Sequence, residues 1–435
     1  MEGYSLGAAI SDVNSDGWPD IYVSNDFLTN DILYINNGPS SEKKGASPSS
    51  PGEGQGEVTF TDKTAECLKH TSFASMGNDI ADFNNDGLPD IYTLDMLPED
   101  NYRKKMIIPP ASYDKFQLSL QKGYEPQYTR NALQLNNGTA PSPNSTAPSP
   151  QAEGRSEVTF SDISFLSGVS STDWSWSALW ADYDNDGDKD LMVTNGFYRD
   201  LGNLDYINYQ ARLQNPMGRQ DARREEKLKA IKKLENVPLQ NYLFENNNDL
   251  TLTKRSDDWG FTQKGFSNGA CYADLDNDGD LDMIINCFNA EARVYKNNGN
   301  ELNKNTYLNI TLKGKYPNVQ GIGSKVWIYT NGTTQFQEFY PYRGYESSMQ
   351  PMIHFGLGKA SKIDSLKITW PDGSKQAAYN IKADQSIRLD NANAHSSERF
   401  FRGSAAIRNR KLCRNFFRYN RYKRIELPAP GSGIR

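Results

Sequence analysis

The stretch DVNSDGWPDIYVSND, from Asp12 to Asp26, places oxygen-bearing side chains at its first, third, fifth and ninth residues and a glycine at its sixth, then passes directly into Ile21, Tyr22 and Val23. Near copies begin at Asp82 (DFNNDGLPDIYTLD), Asp182 (DYDNDGDKDLMVTN) and Asp274 (DLDNDGDLDMIIN), at offsets of 70, 100 and 92 residues. Each copy follows a run of small residues (SLGAAIS, SMGNDIA, SWSALWA, SNGACYA) and leads into an apolar strand. A further strand then ends in Asn (ILYINNG, ALQLNNG, NYLFENN, RVYKNNG), and EVTFTD or EVTFSD follows the first two of these. One period therefore reads as four short strands. A four-strand unit repeated along a chain is a β-propeller blade, whose radial arrangement protects sheet edges. The fold class is all-β, with blades over residues 1–300.

The unequal spacing comes from insertions. Residues 38–56 and 138–156 are rich in Pro, Ser and Gly, too poor in apolar side chains to pack, and read as solvent-exposed, disordered loops joining two strands of a blade. Residues 98–130 and 200–240 read as ordered. In the latter, DARREEKLKAIKKLE sets Leu228, Ile231 and Leu234 three apart and pairs Glu225 with Lys229, which predicts a surface helix packed on one face.

The repeated loop explains its own charge if a cation sits in it. The first copy offers Asp12, Asn14, Asp16 and Asp20, with the carbonyl of Trp18 at position 7 and the turn made at Gly17. The second offers Asp82, Asn84, Asp86 and Asp90 with Leu88 at position 7; the third Asp182, Asp184, Asp186 and Asp190 with Asp188; the fourth Asp274, Asp276, Asp278 and Asp282 with Asp280. Six to eight oxygens suit a hard cation, Ca²⁺ above all; magnesium demands a tighter octahedron, and zinc or copper would want His or Cys, absent from every loop. An EF-hand begins in the same way but needs a bidentate Glu at position 12, where this chain has Val23, Thr93, Val193 and Ile285, residues of a strand. Asp, Asn and Gly also form ordinary polar turns. Four copies with converging carboxylates, which repel unless a cation intervenes, favour the metal. The expected role is structural, because no general base or nucleophile accompanies the loops, and no catalytic residue is nominated.

The net charge of −6 hides an asymmetry: residues 395–435 hold eleven Lys or Arg against two Glu, which leaves −15 for the rest. That tail (RNRKLCRNFFRYNRYKR) interleaves bases with aromatics as nucleic-acid binders do, but it lacks periodicity. Residues 393–435 are read as a disordered extension, and no nucleic-acid partner is expected. No run of eighteen apolar residues is present, so no transmembrane segment is expected. Extracellular calcium modules bind in the range of about 10⁻⁴ to 10⁻³ M, which favours an exported protein. No secretory leader precedes the first patterned segment, so a fragment lacking its leader and earlier blades is expected. Of Cys67, Cys271, Cys287 and Cys413, only Cys271 and Cys287 bracket one acidic loop; they would pair only if the flanking strands align them, and buried free thiols are the plainer expectation.

From Asn305 the repeat gives way to another β pattern. KVWIYTNGTTQFQEFY alternates around Asn331–Gly332, a strong hairpin signal. IDSLKITWPDG puts Leu366, Ile368 and Trp370 on one face and Ser365, Lys367 and Thr369 on the other. Residues 305–392 read as a small β-sandwich of about seven strands. His354, one of three histidines, reads as structural.

The four loops resemble the FG-GAP or VCBS repeats of integrin α-subunit propellers and bacterial surface proteins. QGIGSKVWIY, YRGYESSMQPMIHFGLG and IDSLKITWPDG resemble the ASPIC/UnbV domain that follows such repeats in proteins similar to cartilage acidic protein. Together the two resemblances cover residues 4–392. They imply a seven-bladed, calcium-binding propeller in an exported protein with an adhesive or recognition role, although only four blades are visible and the basic tail matches nothing. The leading expectation is thus a non-enzymatic recognition module, extracellular, periplasmic or on the cell surface, monomeric, taking a protein or glycan ligand. The alternative is a carbohydrate-active lyase or hydrolase, for which Trp174, Trp176 and Trp180 would supply sugar-stacking rings, although their alternation on a blade strand favours packing. An intracellular scaffold would require loops that work without metal.

Overall fold

A computed structural model describes residues 3–27, 29–39, 58–107, 113–139, 158–213, 220–395 and 425–426. Four four-stranded sheets carry the repeat. Blade 1 comprises Tyr4–Ser11, Asp20–Asp26, Ile32–Pro39 and Val58–Asp62, and blade 2 comprises Asn78–Ala81, Asp90–Thr93, Ala132–Thr139 and Val158–Asp162. Blade 3 comprises Ser175–Ala181, Asp190–Asn195, Tyr242–Asn246 and Leu252–Lys254. Blade 4 has Ser267–Ala273, Asp282–Cys287 and Arg293–Lys296, and Ile425–Glu426 pairs parallel to the last of these. The remainder of the basic tail after His395 lies outside the described residues, as does nearly all of the two Pro/Ser-rich insertions.

The acidic stretch links the first two strands of each blade. Ser11 pairs with Asp20, Ala81 with Asp90, Ala181 with Asp190 and Ala273 with Asp282, so every loop hangs from the end of an antiparallel pair. Blades then stack through large side chains. Trp180 of blade 3, 1% exposed, stacks on Phe83 of loop 2 with ring centroids 5.1 Å apart and meets Tyr92 of blade 2 edge-on.

The inserted segments add helices. Residues 98–130 form Asn101–Met106 and Tyr113–Gln121, the first capped by Asp100, whose carboxylate accepts from Arg103 N at 2.9 Å. Residues 200–240 form two helices, Leu204–Leu213 and Gln220–Lys233. The single packed face expected there does not form: Leu228 is exposed, Ile231 and Leu234 are half-buried, and Leu234 lies past the helix end. Three-residue steps fall about 60° short of a full turn. A stripe at 228, 231 and 234 therefore drifts around the helix instead of holding one side.

Residues beyond blade 4 form a sandwich of a three-stranded and a four-stranded sheet. Asn331 and Gly332, with φ of 49° and 86°, make the tight turn between Lys325–Thr330 and Thr333–Glu338. Leu366, Ile368 and Trp370 line the buried face with Leu308, Ile310 and Ile353. No helix among the described residues is long and apolar enough to cross a membrane. Cys271 lies opposite Ile284 and Cys287 opposite Ser267, a register that holds the two apart, and both are free thiols.

The sandwich is not a separate appendage. Its segment 340–352 runs along the inner strands of the blades. Arg343 forms a two-pronged pair with Asp79, Nε to Oδ1 at 2.8 Å and NH2 to Oδ2 at 2.7 Å, and donates to the Tyr272 hydroxyl at 2.9 Å. Gly344 (φ 74°) bridges Asn78, and a Cβ there would lie 2.3 Å from Ser177 Oγ. Gly356, in Ile353–Gly356, lies flat on loop 3: a Cβ would stand 2.0 Å from Asp182 Oδ2. Glycines on the sandwich side thus allow its backbone to lie directly against the blades.

Candidate metal centre

The loops share one construction. In each, the residue at position 4 (Ser15, Asn85, Asn185, Asn277) and the glycine at position 6 adopt positive φ, which curls the backbone inward. The first carboxylate accepts the position-6 amide: Gly17 N donates to Asp12 at 2.7 Å, Gly87 N to Asp82 at 3.0 Å, Gly187 N to Asp182 at 2.9 Å and Gly279 N to Asp274 at 3.2 Å. The position-5 carboxylate accepts the position-7 amide, as in Trp18 N to Asp16 at 2.9 Å and Leu88 N to Asp86 at 2.8 Å. Asn14 and Asn84 accept from the amides of Asp16 and Asp86.

The ninth residue anchors the loop to the blade. Both oxygens of Asp20 accept main-chain N–H groups, from Val13 at 3.0 Å and Asn36 at 2.8 Å, and Asp90, Asp190 and Asp282 repeat the pattern. The third-strand asparagine so engaged also joins neighbouring blades. Asn136 Nδ2 donates to Pro89 O in its own loop and Val13 O in the preceding one, Asn246 to Lys189 O and Phe83 O, and Asn297 to Leu281 O and Tyr183 O. These asparagines, repeated in register in the sequence, read there only as strand ends. Their recurrence was the signal for a shared role.

The cages differ in what already balances their charge. In loop 1, Lys325 of the sandwich pairs with Asp12 and, at 3.4 Å, with Glu338, which accepts from Ser11 Oγ and Asp12 N. In loop 2, buried Lys189 donates to Asp82 O at 2.7 Å. Loops 3 and 4 gather three carboxylates each, Asp182 with Asp184 and Asp190, and Asp274 with Asp276 and Asp278, with ligand oxygens within 4.8 Å of one another. In both, one oxygen of the first carboxylate, Asp182 Oδ1 or Asp274 Oδ1, is buried with no hydrogen-bond partner. A buried carboxylate oxygen left unpaired is costly. Its neighbours are oxygens, so the donor set fits a hard cation. Asp188 and Asp280, at position 7, turn their carboxylates to Asn85 and Asn185 of the neighbouring loop, which leaves the main-chain carbonyl as their contribution to a cage.

Electrostatics agrees with the packing. Burial, followed by the charges of Asp186 and other acids, pushes Asp184 up to about 7 and Asp182 and Asp190 well above the ordinary range. Burial and the charges of Asp12 and Asp16 likewise take Asp20 to about 7. In loop 4, Lys296 Nζ lies 2.8 Å from Asp276 and 3.4 Å from Asp278, and against the effect of burial it holds Asp276 below its usual value. A cation held by these carboxylates would have to displace that ammonium. If loop 4 takes calcium, Lys296→Met is expected to raise its affinity by roughly two- to fivefold, the worth of a partly exposed ion pair, read by chelator-competition titration; unchanged affinity would mean that the ammonium moves aside without competing.

Residues 12–93 match the FG-GAP-like repeat family and residues 314–396 match the ASPIC and UnbV family. Cartilage acidic protein 1 of Xenopus tropicalis is 31% identical over 138 residues, 31% of this chain and 21% of that protein. The human protein of the same name is 31% identical over 122 residues, 27% of this chain and 18% of its own length. The matched region thus spans about a fifth of these relatives. The chain carries FG-GAP-like repeats and an ASPIC and UnbV domain and is a distant homologue of cartilage acidic protein 1.

Proposed function

We propose that the chain is a calcium-binding recognition module of the extracellular type, non-enzymatic and monomeric, in which ions stiffen the blade loops and the inserted helices and loops offer a contact surface for a protein or glycan. The observation that carries this reading is the pair of buried, unpartnered oxygens at Asp182 and Asp274, each facing two further carboxylates. Affinities typical of extracellular modules would fill such cages outside a cell and leave them largely empty within it. The likeness to cartilage acidic protein 1 supports export. The tryptophans that spoke for a sugar-active enzyme are engaged by the protein's own rings: Trp180 is buried between blades, half-buried Trp174 stacks on Phe197 at 3.8 Å, and half-buried Trp176 faces Tyr345 of the sandwich at 5.3 Å.

Calorimetric titration with calcium should show at least two binding equivalents, with magnesium weaker, and Asp182→Asn should remove one equivalent. A wild-type protein that takes up no calcium refutes the reading. Screening against glycans and extracellular proteins with calcium and with chelator should give calcium-dependent retention, and release of a cleaved product would favour the enzyme instead.

A further inference from the structure

The sandwich enters the hydrogen-bond framework of loops 3 and 4 through two buried side chains, Asn309 and His354. Asn309 Nδ2 donates to Asp274 Oδ2 at 3.1 Å, the oxygen that also accepts from Gly279 N, so Asp274 Oδ1 is left to face the cage. Asn309 Oδ1 lies 2.7 Å from His354 Nδ1. On the other side of the ring, Nε2 lies 2.6 Å from Asn185 Oδ1. Asn185 Nδ2 is committed to acceptors in loop 4, Gly279 O at 3.1 Å and Asp280 Oδ1 at 3.0 Å, which fixes its Oδ1 toward the imidazole. The contacts run from loop 4 to Asn309, to His354, to loop 3 and back to loop 4; a neutral imidazole carries a single N–H, so the ring donates to one of the two asparagine oxygens and packs against the other. Two main-chain ties reinforce these contacts, since Gly358 N donates to Asn185 O and Asn305 Nδ2 to Asp184 O, both at 2.8 Å.

Resting on the calcium reading above, we propose that Asn309 and His354 are positioning residues for the ions of loops 3 and 4, so that the C-terminal sandwich is a working part of both sites. Asn309 selects which oxygen of Asp274 faces the ion, and His354 holds Asn185, the left-handed residue between Asp184 and Asp186, at the angle that brings those carboxylates together. Groups that orient metal ligands from behind typically change affinity by about 10- to 100-fold when removed. Coupling of this kind is reciprocal, so calcium also tightens the seating of the sandwich.

Full-length Asn309→Leu and His354→Leu are expected to bind calcium at least tenfold more weakly at two sites, with the remaining uptake unchanged. His354→Gln, which retains an N–H near the position of Nε2, should fall between His354→Leu and wild type. Ile381→Ala, a cavity in the same sandwich away from the loops, should lower thermal stability without changing affinity. Hydrogen exchange in Tyr307–Lys313 and Ile353–Gly356 should slow on calcium addition in the wild type and not in Asn309→Leu. Wild-type affinity in the Leu variants, or equal weakening by Ile381→Ala, overturns the positioning role alone. A wild-type protein without calcium uptake overturns this proposal together with the calcium reading.

Discussion

Chelation of divalent ions is expected to lower the melting temperature by on the order of 10 °C and to give the protein a pH dependence opposite to that of its calcium-loaded form. At a calcium concentration about 100-fold above the dissociation constant, each site contributes about 2.7 kcal/mol. Two sites filled to that extent give about 5 kcal/mol, and for domains of this size each kcal/mol moves the midpoint by about 2–4 °C. The pH dependence follows from the carboxyl groups. Asp184 and Asp280 sit at about 7, and Asp274 and Asp282 at about 6, against an ordinary 3.8, because burial and then neighbouring acids disfavour the charged form. A group raised on folding contributes stability that is fully present below its unfolded value, near 4, and is lost as pH rises through 6 to 7. The chelated protein should therefore melt higher at about pH 5 than at about pH 8. With excess calcium the slope reverses, since the ion requires deprotonated ligands. Equal slopes with chelator and with calcium, followed by circular dichroism, would sink the claim that ions balance these charges.

Arg343→Met is expected to destabilise the protein by about 3–5 kcal/mol, the cost of leaving a buried carboxylate without its partner. Asp79 is 1% exposed and sits among apolar blade residues, where burial raises its pKa despite the adjacent guanidinium. Asp79→Asn alone should cost a comparable amount by stranding the arginine. The double variant should be less damaged than the two single losses together, because neither leaves an unpaired charge. Denaturant titration of the three variants measures the coupling. Additive losses would mean that the pair does not hold the sandwich against the blades.

The repeat made the blades and their loops readable, because the hydrophobic alternation, the turn glycines and the carboxylate spacing recur in register. The seven-stranded sandwich was readable from alternation and one Asn–Gly turn. What escaped the sequence joins distant segments. Asp79 and Arg343 are 264 residues apart, and Asp12 and Glu338 are 326 apart. One trace was present: Asp79 is the acidic residue in SMGNDIA, where the equivalent strands carry Ala9, Leu179 and Cys271. A charge on a strand otherwise built of small and apolar residues needs a partner, but nothing local names an arginine in another domain. His354 was read as structural, and its bonds to two loops depended on a docking geometry no periodicity encodes. The helix at Gln220–Lys233 misled because three-residue spacing imitates a stripe without sustaining one.

Gly356 fixes how closely the two halves of the molecule can meet. Any side chain at this position, even a methyl group, would act as a doorstop between the sheet edge and Asp182, propping the joint open where the carboxylates converge. The seam therefore has a single thickness, set by one missing carbon atom, and the fit of sandwich to propeller cannot be loosened at that point without also disturbing the cage beneath it.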